Sequence, residues 1–249
     1  MSEEIELRLL RENEELRKRL NRLEGKNIEG VPTYSFSKIK LSDLEILVNL
    51  EKKYDFTIFK NWFETDIIVT QDDISFFKNL IERNIQLIVD YNEEDLKAKF
   101  IIPLLNRVDF LFLENSIRDF YEEKLFYKTD KFIFNGTADF FVAKGLRKAK
   151  TPYFFIQEFK KGQTDGYPES QLLAELISAV ELNRWNTIKG AYIVGAIWNF
   201  VILEKLEKDS YQYFVSINFD STKIEDLKAI YKNLLSIKKE IIERVKNEN

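Results

Sequence analysis

Asp139 stands alone among apolar neighbours in "FIFNGTADFFVA", and after 18 intervening residues Glu158 and Lys160 close the run "TPYFFIQEFK". A carboxylate in an apolar run is costly to bury unless it is paired or bound to a metal. Two carboxylates from adjacent strands, with an ammonium group beside them, can hold one or two Mg²⁺ ions against a phosphodiester while the lysine orients or polarises water. The same three residues also suit a simple Asp–Lys–Glu ion cluster between strands.

Composition narrows the chemistry further. With His 0 and Cys 0, structural zinc, Ser-His-Asp catalysis and Cys-His catalysis are excluded. The remaining groups are carboxylates, Lys, Arg, Tyr and Ser, a set that suits a hard cation such as Mg²⁺ or Mn²⁺. A formal net charge of -4 argues against a generally basic nucleic-acid protein. It leaves room for a local patch, because Lys144, Arg147, Lys148, Lys150, Lys160 and Lys161 crowd the same stretch. A solvated lysine-rich loop accounts for them equally well. No run approaches the roughly 18 to 20 apolar residues of a membrane span, and the first residues are charged, so a cytoplasmic location without a membrane partner is expected.

The elements that would position these groups follow from periodicity. On a strand, Glu158 and Lys160 share one face while Phe155 and Phe159 take the other. A run that is apolar on both faces and charged only at its end predicts a central strand with an exposed tip. Gly136 permits a kink or a close approach just before Asp139. The pattern predicts an Asn-capped helix over 92–108, with Glu93, Leu96, Lys97, Phe100 and Leu104 on one face. Extended runs over 117–128 and 130–143 follow, then a strand at 152–160 and a helix at 168–184. Strands near 189–206 and 211–218 and a helix at 223–247 complete the order α-β-β-β-α-β-β-α. Residues 35–91 are expected to be mostly helical, with caps at Ser42 or Asp43 and at Thr70 or Asp72.

In residues 1–24, Leu9, Leu16 and Leu23 recur every seven residues and Asn13 and Leu20 fall at the other core position. That spacing predicts a short parallel coiled coil making a homodimer or higher homo-oligomer, or else a solvated helix packed on its own domain. The expected organisation is a coiled-coil helix at 1–27, a helical N-terminal region at 28–91 and one further domain at 92–249.

Asp139, the 18-residue gap and Glu158-Phe159-Lys160 together resemble the core of the PD-(D/E)XK nuclease superfamily, the restriction-endonuclease-like fold. In "YPESQLLAELISAVEL" Gln171 stands where many members of that superfamily carry a glutamine, and Glu175 lies one turn later on the same face, where a solvated helix charge accounts for it equally simply. "NEEDLKAKFIIPLL" is similar to the first helix of the nuclease domains of type I restriction-enzyme motor subunits, with Glu93 as the better match to their early glutamate and Glu94 in reserve. "KGAYIVGAIWNFVILEKL" is similar to the late hairpin of those domains, with Gly195 and Trp198 near its turn. The proline that commonly precedes the aspartate is Ala138 here.

The resemblance implies an α/β fold with a restriction-endonuclease-like αβββαβ core and a mixed central sheet. It also implies metal-dependent hydrolysis of phosphodiester bonds, most simply in DNA. By that resemblance, Asp139, Glu158, the backbone carbonyl of Phe159 and Glu93 would hold Mg²⁺ or Mn²⁺. Lys160 would act on water, Gln171 would support the site, and Lys161, Lys144 and Lys148 would meet nucleic acid. Two other readings remain open: a catalytically silent nuclease-fold protein acting as an oligomeric scaffold or nucleic-acid-binding module, and a nuclease acting on RNA.

Overall fold

A computed structural model describes residues 30–162 and 167–248. Mixed α/β architecture results from a large mixed sheet with helices on both faces. Its strands are β1 (Thr33–Ser35), β2 (Asn49–Lys53), β3 (Ile117–Lys128), β4 (Ile133–Lys144) and β5 (Lys150–Lys160). They continue with β6 (Thr187–Val194), β7 (Ile197–Glu207), β8 (Ser210–Val215) and β9 (Phe219–Asp220). The spatial order is β1-β4-β5-β6-β7-β8-β2, with β3 paired to β4 and β9 to β7. β5 and β6 run parallel, so the chain must cross over between them. Helix α6 (Pro168–Asn183) makes that crossover.

Most of α6 is apolar on every side, and residues 170 to 180 are all buried. A helix of this kind belongs inside a protein, not on its surface. It packs on one sheet face with Phe36, Leu44, Ile156 and Val201. The other face is covered by α3 (Gln71–Asn84), the helical stretch from Glu93 to Val108 and α7 (Ile224–Glu248), through Phe77, Phe100, Phe155, Phe200 and Leu227. No described helix is long and apolar enough to cross a membrane.

The region expected to be helical, 28–91, does contain α1 (Leu41–Leu47), α2 (Lys60–Phe63) and α3. It also contributes two strands to the sheet, which corrects that expectation. β1 lies parallel to β4, and β2 lies parallel to β8. Helix α1 starts after Lys40, whose N–H donates to Asp43 at 2.9 Å, so Asp43 serves from inside the first turn and is not the cap. Thr70 does cap α3, accepting from the Asp73 N–H at 3.1 Å. The run 189–206, likened to a late hairpin, is one, β6 turning into β7 at Gly195, whose φ of +60° suits glycine. The predicted coiled coil, with Asn13 and Leu9, Leu16 and Leu23, lies outside the described residues.

Candidate active site

The helix from Glu93 to Val108 is irregular where it meets the sheet. Asn92 caps it, accepting from the Asp95 N–H at 2.7 Å. Helix α4 (Glu93–Leu96) widens into a π-helical turn over Lys97–Ile101 before α5 (Ile102–Val108) resumes. Pro103 has no N–H to offer the carbonyl four residues back, and the helix is wider over the turn that precedes it. Leu96, Phe100 and Leu104 are buried as their shared face predicted, and Lys97 is buried with them at 7 % exposure.

Strands β4 and β5 are paired from Lys144↔Lys150 to Phe140↔Gln157 and then part. Beyond that point the Asp139 side chain takes over from the backbone ladder, its Oδ2 accepting from the Phe159 N–H at 2.8 Å. The N–H freed by the parting strands is thereby satisfied inside the fold. Gly136 makes the close approach expected of it: a Cβ there would stand 2.7 Å from the Phe36 ring.

Around this fork acids and ammonium groups alternate. Asp139 Oδ1 accepts from Lys97 Nζ at 2.9 Å, and Lys97 reaches Glu93 at 3.1 Å. The other Glu93 oxygen stands 4.0 Å from Lys160 Nζ, which donates to Glu158 at 2.5 Å and to the Phe159 carbonyl at 3.0 Å. The Phe159 carbonyl expected to face a metal therefore faces Lys160. Lys160 also receives the β6–β7 turn, its carbonyl accepting from the Gly195 N–H at 2.8 Å.

Two further carboxylates join the group without having been assigned from sequence. Glu122, opposite Asp139 on β3, holds a left-handed φ of +50° and accepts from Lys97 at 2.9 Å. Glu175, on the face of Gln171, is fully buried because α6 is enclosed all round, which rules out the solvated helix charge. Gln171, 4 % exposed, donates to it at 3.2 Å. The signal for Glu175 was a lone acid in "QLLAELISAV", apolar on every other side; nothing in the sequence marks Glu122.

The electrostatics are those of crowded acids. Burial, followed by the nearby Asp139 charge, raises the pKa of Glu158 well above the ordinary carboxylate value. Burial and then the Glu158 charge do the same to Glu175. For Lys97, burial opposes the charge, but the attraction of Asp139 outweighs it and the pKa rises. Lys160 behaves likewise, with Glu158 outweighing burial. Glu158 Oε2, Glu175 Oε2 and Gln171 Oε1 are buried and accept no hydrogen bond.

Among the described residues no group of three or more acids is gathered as a ready metal cage. The donor set nevertheless fits a hard divalent cation. Glu93, Glu94, Glu122, Asp139 and Glu158 meet two ammonium groups, so five formal negative charges less two positive leave a surplus of three. The buried, unpartnered Glu158 oxygen supplies a free ligand atom of the right kind.

The cations expected to meet nucleic acid are divided. Lys161 is exposed directly after the site. Lys144 and Lys148 are exposed at the opposite end of the β4–β5 hairpin. Five residues of strand separate Lys144 from Asp139, about 17 Å. The single patch suggested by their closeness in sequence is split by the geometry of the strands. Tyr153 packs on Phe141, and Trp198 is 1 % exposed, so both contribute to the core. Compared with known proteins, the chain matches no family model and no curated protein.

Proposed function

We propose that the protein is a metal-dependent nuclease of the restriction-endonuclease-like fold, cutting phosphodiester bonds in DNA. The observation that carries this reading is the fork between β4 and β5, where Asp139, Glu158 and Lys160 converge with Glu93 beside them. Most buried side-chain polar atoms find a partner, and this cluster leaves a buried Glu158 oxygen without one.

Asp139 and Glu158 would hold Mg²⁺ or Mn²⁺, with Glu93 in reach. The ion supplies Lewis acidity and a more acidic bound water. Lys160, anchored on Glu158 and the Phe159 carbonyl, keeps its charge at the fork. There it orients water or stabilises negative charge developing on a phosphate oxygen. Gln171 fixes the Glu175 carboxyl behind the site. Lys161 meets the nucleic-acid backbone.

The test is cleavage of plasmid, single-stranded DNA and RNA with Mg²⁺ or Mn²⁺, set beside an EDTA control, Asp139→Ala and Lys160→Ala. Metal-dependent cutting lost in both variants supports the reading, and preference for RNA would change the target class. The seating of Lys97 on Asp139 favours a second reading, a silent nuclease-fold module that binds nucleic acid or scaffolds a complex. Wild type and variants that bind DNA equally and never cut it would establish that alternative. Homo-oligomerisation through residues 1–24 is a separate proposal, checked by light scattering with and without that segment.

A further inference from the structure

Lys97 is held where an ammonium group is costly to keep. It meets Asp139 at 2.9 Å, Glu122 at 2.9 Å, Glu93 at 3.1 Å and Glu94 at 3.8 Å. These acids come from α4, β3 and β4, so one ammonium group is the counter-ion shared by three elements. The backbone bends on both sides to put it there. The helix turns π-helical at Lys97, and Glu122 adopts a left-handed φ that costs a non-glycine residue roughly 1–2 kcal/mol.

Both oxygens of Asp139 are taken, one by Lys97 and one by the Phe159 N–H. Each oxygen still has a lone pair to offer a metal, but a cation on Oδ1 would sit beside the Lys97 ammonium, and the two positive charges repel. The Phe159 N–H is fixed in a strand, whereas the lysine ammonium rides on a flexible stem and can move. Glu94, exposed and already 3.8 Å away, can receive it.

Taking the assignment of Asp139 and Glu158 as the metal-holding pair, we infer that Lys97 is an internal counter-ion that a divalent cation must displace from Asp139. Lys97 thereby sets the metal concentration at which the site loads. It is a regulatory group of the site, distinct from the water-directing role given to Lys160.

The test uses Mn²⁺ alone with the purified full chain, reading free Mn²⁺ by electron paramagnetic resonance. Lys97→Met keeps the stem and removes the charge, and its Mn²⁺ dissociation constant is expected to fall about tenfold. Lys97→Arg keeps the charge and is expected to stay within about threefold of wild type. Asp139→Ala is expected to lose the binding. Circular dichroism melts establish that each variant is folded. A second measurement needs no variant: acetylation of Lys97 in wild type, followed by mass spectrometry, is expected to speed up when Mg²⁺ is added.

Unchanged or weaker Mn²⁺ binding in folded Lys97→Met overturns the inference. So does Mg²⁺-independent acetylation, or the absence of Mn²⁺ binding in wild type and Lys97→Met alike. Tighter binding by Lys97→Met in a protein that cuts no nucleic acid leaves this inference standing and removes the nuclease reading. Cutting by wild type with unchanged binding in Lys97→Met does the reverse.

Discussion

Two acidic clusters of this fold are built in opposite ways. At the N-terminus of α3, Asp73 accepts from the Thr70 N–H at 2.9 Å and hydroxyl at 2.6 Å, and from Arg107 Nε at 2.8 Å. Burial opposes its charge, but the Thr70 and Arg107 contacts outweigh it and hold the carboxyl below its usual range. At the β4–β5 fork, Glu158 and Glu175 each keep a buried oxygen with no donor, and both are pushed well above that range. The first cluster spends its hydrogen-bonding capacity on the fold. The second leaves some of it unused, which is what the proposed metal site would need.

The sharpest way to break this contrast is to remove an acid from each side. Asp139→Ala is expected to lower metal-dependent cleavage by about 10³-fold or more, measured on supercoiled plasmid. Asp73→Ala, by contrast, is expected to cost about 1–3 kcal/mol of stability in urea denaturation, through the lost half of the capping box and the loss of one of the two acids that hold Arg107. A fork variant that lost that much stability, or an Asp73 variant that lost none, would collapse the distinction.

Glu175→Gln sharpens it. Replacing a buried carboxyl that has one oxygen without a donor by a neutral amide is expected to stabilise the fold by about 1–2 kcal/mol at pH 8. The pH dependence carries the same sign. Because the folded pKa of Glu175 is raised above 4.5, the folded state keeps a proton that the unfolded chain has released. Its contribution is then complete below about pH 4.5 and is lost as pH rises through the folded value. Asp73 works the other way: its contribution is present above 3.8 and lost as pH falls through its lowered value. Urea midpoints from pH 5 to 8 are therefore expected to decline with pH more steeply in wild type than in Glu175→Gln.

The smallest effect concerns the surrounding cations. Lys161→Ala is expected to weaken binding to a DNA duplex and to lower the salt slope by about one, while Lys148→Ala at the far end of the hairpin changes it less. Fluorescence anisotropy over a salt series compares them.

Legibility followed enclosure. β4, β5 and α6 were readable because central elements carry uninterrupted apolar runs, and a single Asp139 or Glu158 stands out against that background. β2 was not, because "NLEKK" is a short edge strand whose charges read as a continuing helix. The π-helical turn was hidden because Pro103 can sit in the first turn of an ordinary helix. Glu122 was hidden because its role depends on a backbone conformation that residue type does not announce. Gln171 was placed by its position in the resemblance, whereas Glu175 needed the burial of α6 to be understood.

The two edge strands of the N-terminal region also bear on how the molecule is made. β2 is synthesised before its partner in the sheet, which arrives 161 residues later, as the pairing of Asn49 with Ser210 requires. At ordinary rates of synthesis that is a wait of roughly 8–30 s, long compared with the folding of a hairpin. Through that interval the first segment has no sheet to join, and the fork between β4 and β5 is translated before the far edge of the sheet can close.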